Sequence, residues 1–379
     1  MSKHAQSLII YGIVLLLTAL LLATGLDSYS RFISLAEAGV AYCKAEVTAA
    51  DNSEMTRQPT PDARLYGNQY VTMVLLSGEH KGETVMAQTF VTADSYLFVE
   101  EGDRIIASVT PREEGQIYCR VVSFYRLPGI VFLIAVFIIG TVLIYRRKGL
   151  RALVGLAFTL LSIICFTIPQ IYFGASPILC AIVTGAGTSA VTLLLLNGFH
   201  RKTLAATLST CAGFGIAGLL FAGFSLLGNV TGYNSQQLGM LSYFSVRTEL
   251  DVKHILFAGV LIASLGAVMD VSMSVSSAVY EIHNADPSLR IRKLFRAGME
   301  VAKDTIGTMV NTLILAFTGG SLAALIALTG YGIQFNRFLN SDFIAIEIGQ
   351  GLSASAALVL MAPLTALTAS ALLANRKNT

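Results

Sequence analysis

Charge is what this chain has least of. Asp, Glu, Lys and Arg make up only 13% of its 379 residues, where soluble domains carry about 25%. Composition alone therefore excludes an ordinary soluble protein. Several chemical signatures are missing as well. There is no HExxH, no GxSG, no GxGD, no Walker motif and no Rossmann strand-turn-helix fingerprint, and no histidine falls in the middle of an apolar run. These absences leave metalloproteases, serine and aspartyl intramembrane proteases and nucleotide-driven enzymes without a sequence basis. The chain is read as not an enzyme, with no catalytic residue, cofactor or metal site. ATP-driven transport would need a separate ATPase subunit. The net charge of +3 comes without a basic patch laced with aromatics, so nucleic acid is not an expected partner.

Cysteine is also sparse, at five residues with no CxxC or Cys/His spacing. Cys165, Cys180 and Cys211 sit in apolar runs and read as small packed hydrophobes. Cys43 and Cys119 fall in a polar segment. Two buried free thiols are the favoured reading there, and a disulfide is the alternative.

What the chain has in abundance is hydrophobic sequence, 54% of residues. Runs of eighteen or more apolar residues recur, each long enough to cross about 30 Å of hydrocarbon. Eight spans are expected: about Leu8–Leu26, then Pro128–Tyr145, Leu150–Ile171, Pro177–Phe199, Thr203–Leu227, Ile255–Glu281, Thr305–Thr329 and Phe343–Leu373. Basic residues gather on alternate connections: Lys3; Arg146, Arg147, Lys148 and Arg151; Arg201 and Lys202; Arg290, Arg292, Lys293 and Arg296; Arg376 and Lys377. The positive-inside rule places these in the cytosol. Both termini are then cytosolic, in a multi-pass protein of the cytoplasmic membrane. The first run is read as a retained anchor, residues 1–27, although "LLATGLDS" offers an alternative cleavage site.

Residues 28–127 form the one sizeable polar piece, on the outer side. "QYVTMVLLSGEHKGETVMAQT" reads as two strands around a turn, "VEEGDRIIASVT" as a turn entering a strand, and "GQIYCRVVSFYR" as a last strand. About five short strands predict a small β-barrel of the OB or SH3-like kind. "NSEMTRQPTPDARLYGNQ" is expected to be a mobile loop. Residues 128–379 then make a seven-helix membrane domain.

The sixth span holds the most unusual stretch, "GAVMDVSMSVSSAVYEI". At 3.6 residues per turn, Asp270, Ser274, Ser277 and Glu281 share one face, continued by Gly259, Ala263 and Gly266. Val268, Val271, Val275 and Val279 lie off it and are expected to meet lipid or other helices. An ionised carboxylate at mid-bilayer costs at least about 2.5–3.5 kcal/mol. It faces a partner, sits protonated or lines a wet cavity. Burial favours the neutral form of a carboxyl group, so Asp270 is read as a proton-binding group, with a structural Asp bonded to hydroxyls across the bundle as the alternative. In the seventh span Asp304, Thr308, Asn311 and Thr312 share a face. In the eighth, Glu347, Gln350, Gly351 and Ala354 do, and Pro363 is expected to kink or break the helix. The three polar faces are expected to line one cleft. The alternative for Thr308, Asn311 and Gln350 is glue between helices. Asn197, His200, Arg201 and Lys202 read as topology anchors. Between spans six and seven, residues 287–303 predict an amphipathic helix, N-capped by Asp286 with Pro287 in its first turn. Its face of Ile291, Leu294, Phe295, Gly298 and Ala302, flanked by Arg290, Arg292, Lys293 and Arg296, suits an anionic membrane surface, with a coupling helix to a cytosolic partner as the alternative.

"GAVMDVSMSVSSAVYEI", "DTIGTMVNTLILAFTGGSL", "EIGQGLSASAALVLMAPLTAL" and "NGFHRKTLAATLST", with the spacing between them, resemble the YibE/F family of bacterial multi-pass membrane proteins over roughly residues 128–373. The resemblance marks Asp270, Ser277, Glu281, Gly307, Thr308, Asn311, Thr312, Glu347 and Pro363. Where glycines are common in that family's last span, this chain has Ala354 and Ala357. The resemblance implies no substrate. Two readings remain. One is a permease or efflux protein for an ion or small solute, proton-coupled through Asp270. The other is a non-transporting scaffold, sensor or subunit acting through the outer barrel, with a second membrane subunit or another copy as partner.

Overall fold

The computed structural model describes residues 40–57, 64–92, 96–111, 117–230, 251–330 and 332–374, together with the isolated positions Gly12, Ala19, Ser30 and Arg31. The first expected span and its choice between anchor and cleaved leader lie almost wholly outside the described residues. Two compact units emerge. Arg31–Ile144 forms one, and Tyr145–Thr379 makes up most of the other.

The first unit contains strands β1 (Ala41–Asp51), β2 (Met55–Arg57), β3 (Leu65–Leu75), β4 (Thr84–Val91), β5 (Arg104–Pro111) and β6 (Ile117–Phe124). β1 pairs with both β3 and β5, β3 with β4, β5 with β6, and β4 with β6 in parallel, so five strands close on themselves and β2 is appended to β3. This is the five-stranded Greek-key closure of an OB-type barrel. Period-two alternation does the work. Ala45, Val47, Val71, Met73, Leu75, Ile105, Ala107 and Val121 point inward and are buried, while their neighbours face out. The three strand segments read from the sequence fall on β3–β4, β5 and β6. The expected loop over residues 52–69 is different: part of it forms the β2–β3 hairpin, with Met55 opposite Gly67.

Cys43 lies opposite Ala107 on β5, and Cys119 lies opposite Val109 on the other edge of the same strand. With β5 between them, their backbones stand roughly two strand spacings, about 9.5 Å, apart, beyond the ~4.4–6.8 Å Cα separation of a disulfide. Both are free, buried thiols, as the favoured reading expected. Burial pushes the Cys119 thiol up from its ordinary range. The barrel also buries one amide completely. Gln69 donates to Val99 O at 2.7 Å and to Asn52 Oδ1 at 2.8 Å, and accepts from Val99 N at 3.2 Å. It tethers the segment before β5 to the barrel wall.

Helix α1 (Leu127–Ser162) continues through a π-helical turn (Ile163–Thr167) into α2 (Ile168–Tyr172). The helix is interrupted at Arg146, whose φ of 49° and ψ of −126° are not helical. Then follow α3 (Pro177–Asn197), α4 (Arg201–Leu227), α5 (Val252–Ala285), α6 (Ile291–Gly320), α7 (Leu322–Gly330), α8 (Phe335–Leu339) and α9 (Asp342–Ala374). Among the described residues five helices are long and apolar enough to cross a membrane, or six if α6 and α7 form one bent span. That number covers the described residues alone, and the first of the eight expected spans lies outside them. Spans two and three run together as Leu127–Tyr172, 46 residues. Such a helix would rise about 69 Å, roughly twice a ~30 Å hydrocarbon layer, and Arg146 interrupts it where the two spans were expected to divide.

Three further expectations are corrected. The amphipathic helix of residues 287–303 is not separate: it begins at Ile291 and is the first half of α6. Asp286 does not cap it. Asp286 ends α5, and its carboxylate accepts from Ser288 N at 3.0 Å and Ser288 Oγ at 2.6 Å, an Asx turn. Nor does its apolar face lie free for a membrane surface. Leu294, Gly298 and Ala302 are buried in the bundle, because a side chain at Gly298 would collide with Val279 Cγ2 at 2.6 Å and leave α5 and α6 too far apart. Last, Pro363 does not break α9, which is helical from Asp342 to Ala374. Met361, Ala362, Thr365 and Ala366 around it are buried, and neighbouring helices commonly hold a proline-containing span in helical form. The broken span is instead the seventh, where α6 and α7 meet at Ser321 with a 59° bend.

The second unit is built around α4, α5 and α9, with α6 against α5 and α9, and α3 against α4 and α5. Its close contacts use missing side chains. A Cβ on Gly213 would meet Val268 Cγ1 at 2.6 Å and Met361 Sδ at 3.0 Å. Small residues that let helices approach are the main means of association in lipid.

Two outcomes are expected. Gly213→Val should destabilise the bundle by about 1–3 kcal/mol through overpacking, measured as a lowered thermal midpoint of the detergent-solubilised protein. Cys119 should resist a maleimide at neutral pH in the folded protein and react on denaturation. Gln69→Leu, which strands the Val99 backbone at a cost of about 1–3 kcal/mol, should speed that labelling, followed by peptide mass spectrometry.

Candidate functional site

α5 decides the site, because its two faces compete for the interior. Val268, Val271, Val275 and Val279 recur at helical spacing and all are fully buried, with Ser264, Ser272 and Ser276 beside them. The opposite face carries Gly259, Ala263, Gly266, Asp270, Ser274 and Glu281, all exposed, and Ser277, partly buried. Of the two partners expected for the valines, lipid or other helices, they meet other helices, while the polar stripe, expected to line a cleft with two neighbouring spans, lies on the uncovered side. The valines win the interior because branched side chains fill the notches at Gly213 and Gly298, and van der Waals fit, not apolarity, orders helices in lipid.

The partners of α5 explain the opening. It packs against α3, α4, α6 and α9, and the stripe is the sector left uncovered among the described residues. Asp270 makes no hydrogen bond or ion pair with any described residue, so the structural alternative of a carboxylate bonded across the bundle is not what the packing produces.

The register of the helices places the other polar residues. Val279 and Ala366 both abut Gly298, and Ser272 Oγ lies 3.5 Å from Met361 Sδ. α5 and α9 therefore run parallel. Phe317 packs near Gly351, which makes α6 antiparallel to both. At about 1.5 Å per residue, Thr308 lies about 15 Å along α6 from the Gly298–Val279 contact and Asp270 about 13.5 Å from it along α5. Gly307 and Thr308 thus sit at the depth of Asp270, Asn311 and Thr312 about one turn beyond it, and all four are exposed. Thr308 Oγ1 donates to Thr305 O and Thr312 Oγ1 to Thr308 O, each at 2.9 Å, which leaves hydroxyl oxygens open as acceptors.

Glu347 is elsewhere. The same register puts it about 15 Å from the level of Asp270 along the bundle. It lines a groove of about 370 Å³ with Phe317, Ser321, Phe338, Ile344 and Leu352, under the bend between α6 and α7. Gln350 is partly buried on the same helix. One cleft through all three polar faces is thus replaced by two openings: the Asp270 face, level with Thr308, and the Glu347 groove. Sequence reasoning missed the groove because no pattern marked Ser321 as a break. It also missed the buried serines, of which Ser276 and Ser355 have hydroxyls without a described partner. The regular valine spacing was the signal for that face.

A family model described as YibE/F-like protein matches residues 133–375, more than half of the chain. The chain belongs to this family. Its matched region starts inside α1 and takes in every helix of the bundle, including both openings, while the β-barrel lies outside it. No curated protein and no solved structure matches the chain. The apolar helices and the family make this YibE/F-like chain an integral, multi-pass membrane protein.

The open face makes an accessibility prediction. Asp270→Cys and Ser274→Cys in the purified protein should react readily with a small water-soluble maleimide. Val275→Cys, one residue further on, should stay unlabelled until denaturation. Equal labelling of all three would contradict the assigned faces.

Proposed function

We propose that this YibE/F-like protein is a permease or efflux protein of the cytoplasmic membrane for an ion or small solute, coupled to protons through Asp270. The observation that carries the reading is the position of Asp270: on the uncovered face of a 34-residue helix, near its midpoint, level with exposed Thr308 and about one turn from exposed Asn311. A carboxylate held against lipid there costs at least about 2.5–3.5 kcal/mol. Water, a proton or a bound cation relieves that cost. The bent α6–α7 pair adds support, since discontinuous helices are where transporters commonly hold their solutes, and the groove at the bend carries one carboxylate, Glu347.

The proposed topology has eight crossings, with the first at about residues 8–26, α1 divided at Arg146, both termini cytosolic and the barrel outside. Its basis is the alternation of basic connections. The bilayer and the solute are the proposed partners, and no catalytic step or cofactor is assigned.

A second reading has its own observation. Gly259, Ala263 and Gly266 make a small-residue stripe on the same open face, and such stripes mediate close contact between membrane helices. A second subunit or another copy seated there would make this a complex component rather than a carrier.

Proton release on adding candidate ions and solutes to the weakly buffered purified protein separates the two. Transport coupling predicts release from the wild type and none from Asp270→Asn. Release undiminished in Asp270→Asn would remove the coupling role. A stable dimer that Gly266→Leu dissociates, with no release from any candidate, would favour the complex component.

A further inference from the structure

The end of the bundle where α4 begins and α5 ends holds a second, separate cavity. It measures about 250 Å³ and is lined by His200, Arg201, Tyr280, His283, Asn284 and Leu373. From the sequence, His200, Arg201 and Lys202 read only as topology anchors. The structure gathers them around Tyr280. The His200 and Tyr280 ring centroids are 6.4 Å apart, and Lys202 Nζ stands 5.0 Å from the Tyr280 ring centroid. Arg201 is fixed by one bond, Nη1 donating to Leu372 O at 2.8 Å, which leaves most of its guanidinium donors free.

Two features give this cavity a chemical sign. Its lining holds no carboxylate. Glu281 lies on the open stripe of α5 with Asp270, on a different face from Tyr280 and His283; Asp286, the acid that interacts electrostatically with His283, lies outside the lining, with its carboxylate engaged by Ser288 N and Oγ. The second feature is an unmet demand. His283 Nδ1 is buried and has no hydrogen-bond partner among the described residues, a costly condition for a polar atom. A metal ion is the poorer answer, since among the described residues no three His, Cys, Asp or Glu side chains converge to hold one. The lining brings together side chains that can donate: a guanidinium, two imidazoles and an amide. At the start of α4 the Thr203 and Leu204 amides already donate to His200 O, so of the first turn only the Arg201 and Lys202 N–H groups are left without an intrahelical acceptor. That set suits an anion with several oxygens, which a guanidinium can take in bidentate fashion.

We propose that this cavity binds a phosphate group, with Arg201 as its charge partner and His283 and Asn284 as hydrogen-bonding partners. The phosphate belongs either to a lipid headgroup or to a soluble phosphate compound, and the cavity is larger than a bare phosphate needs. The site is independent of transport: it uses neither Asp270 nor Glu347, so it can stand or fall without the permease reading.

The test uses the purified full chain in detergent, with equilibrium dialysis against labelled inorganic phosphate, and lipid-extract mass spectrometry after purification from membranes containing phosphatidylglycerol. Arg201→Gln and His283→Leu are compared with wild type and with Arg337→Gln on α8 as a distant control. Circular dichroism checks that each variant is folded. If Arg201→Gln fails that check through loss of its bond to Leu372, His283→Leu and Asn284→Leu carry the comparison. Saturable phosphate binding, weakened about tenfold or more in the cavity variants, as expected for loss of one charge-assisted bond, and unchanged in Arg337→Gln, establishes a soluble phosphate site. Co-purified phosphatidylglycerol that is lost in the same variants, without phosphate binding, assigns the site to lipid. Absence of both, or binding that the cavity variants leave intact, overturns the proposal.

Discussion

The contact of Val268 with the notch at Gly213, backed by Met361, is the constraint on which the bundle depends. In water, apolarity would choose which face of α5 turns inward. In lipid, burying valines gains nothing by that measure, and shape orders the helices. Branched valines at helical spacing meet Gly213 on α4 and Gly298 on α6, and the alanines of α9 complete the seat. Once these are engaged, the rotation of α5 is fixed, and the stripe carrying Asp270 is left facing outward between α3 and α6.

The same contact sets the depth of everything else. Gly298 against Val279 and Ala366 fixes the slide of α6 along α5 and α9. That slide brings Thr308 to the level of Asp270, with Asn311 a turn beyond, and carries Glu347 well away from it. Polar residues that share a motif in the chain are thus divided by rigid helices into two openings. The bend at Ser321 shapes the second. It falls where two glycines, Gly319 and Gly320, precede the break, and it lets Phe338 and Ile344 close over the groove that Glu347 enters.

The two units obey different rules. In the barrel, water supplies the driving force, alternation decides what is inside, and a single buried glutamine is fully bonded. In the bundle, buried hydroxyls mostly donate to the carbonyl one turn back, as Ser189, Thr210 and Ser370 do, so they satisfy themselves without joining helices. Polar residues there are weak guides to which helices meet. Glycines are stronger ones.

The chain by itself determined the class of the protein, the places where helices begin, the strands of the barrel and the family, because apolar run length, period-two alternation and motif spacing are local properties. Val71, Met73 and Leu75 announce an inward face within five residues. Asp270, Ser274 and Glu281 likewise announce a shared face. Tertiary structure alone decided whether that face is covered, that Pro363 stays helical while Ser321 does not, and that His200 and His283 meet at one cavity. These depend on which notch a distant side chain fills, and a valine 55 residues from its glycine leaves no mark on the local pattern of either.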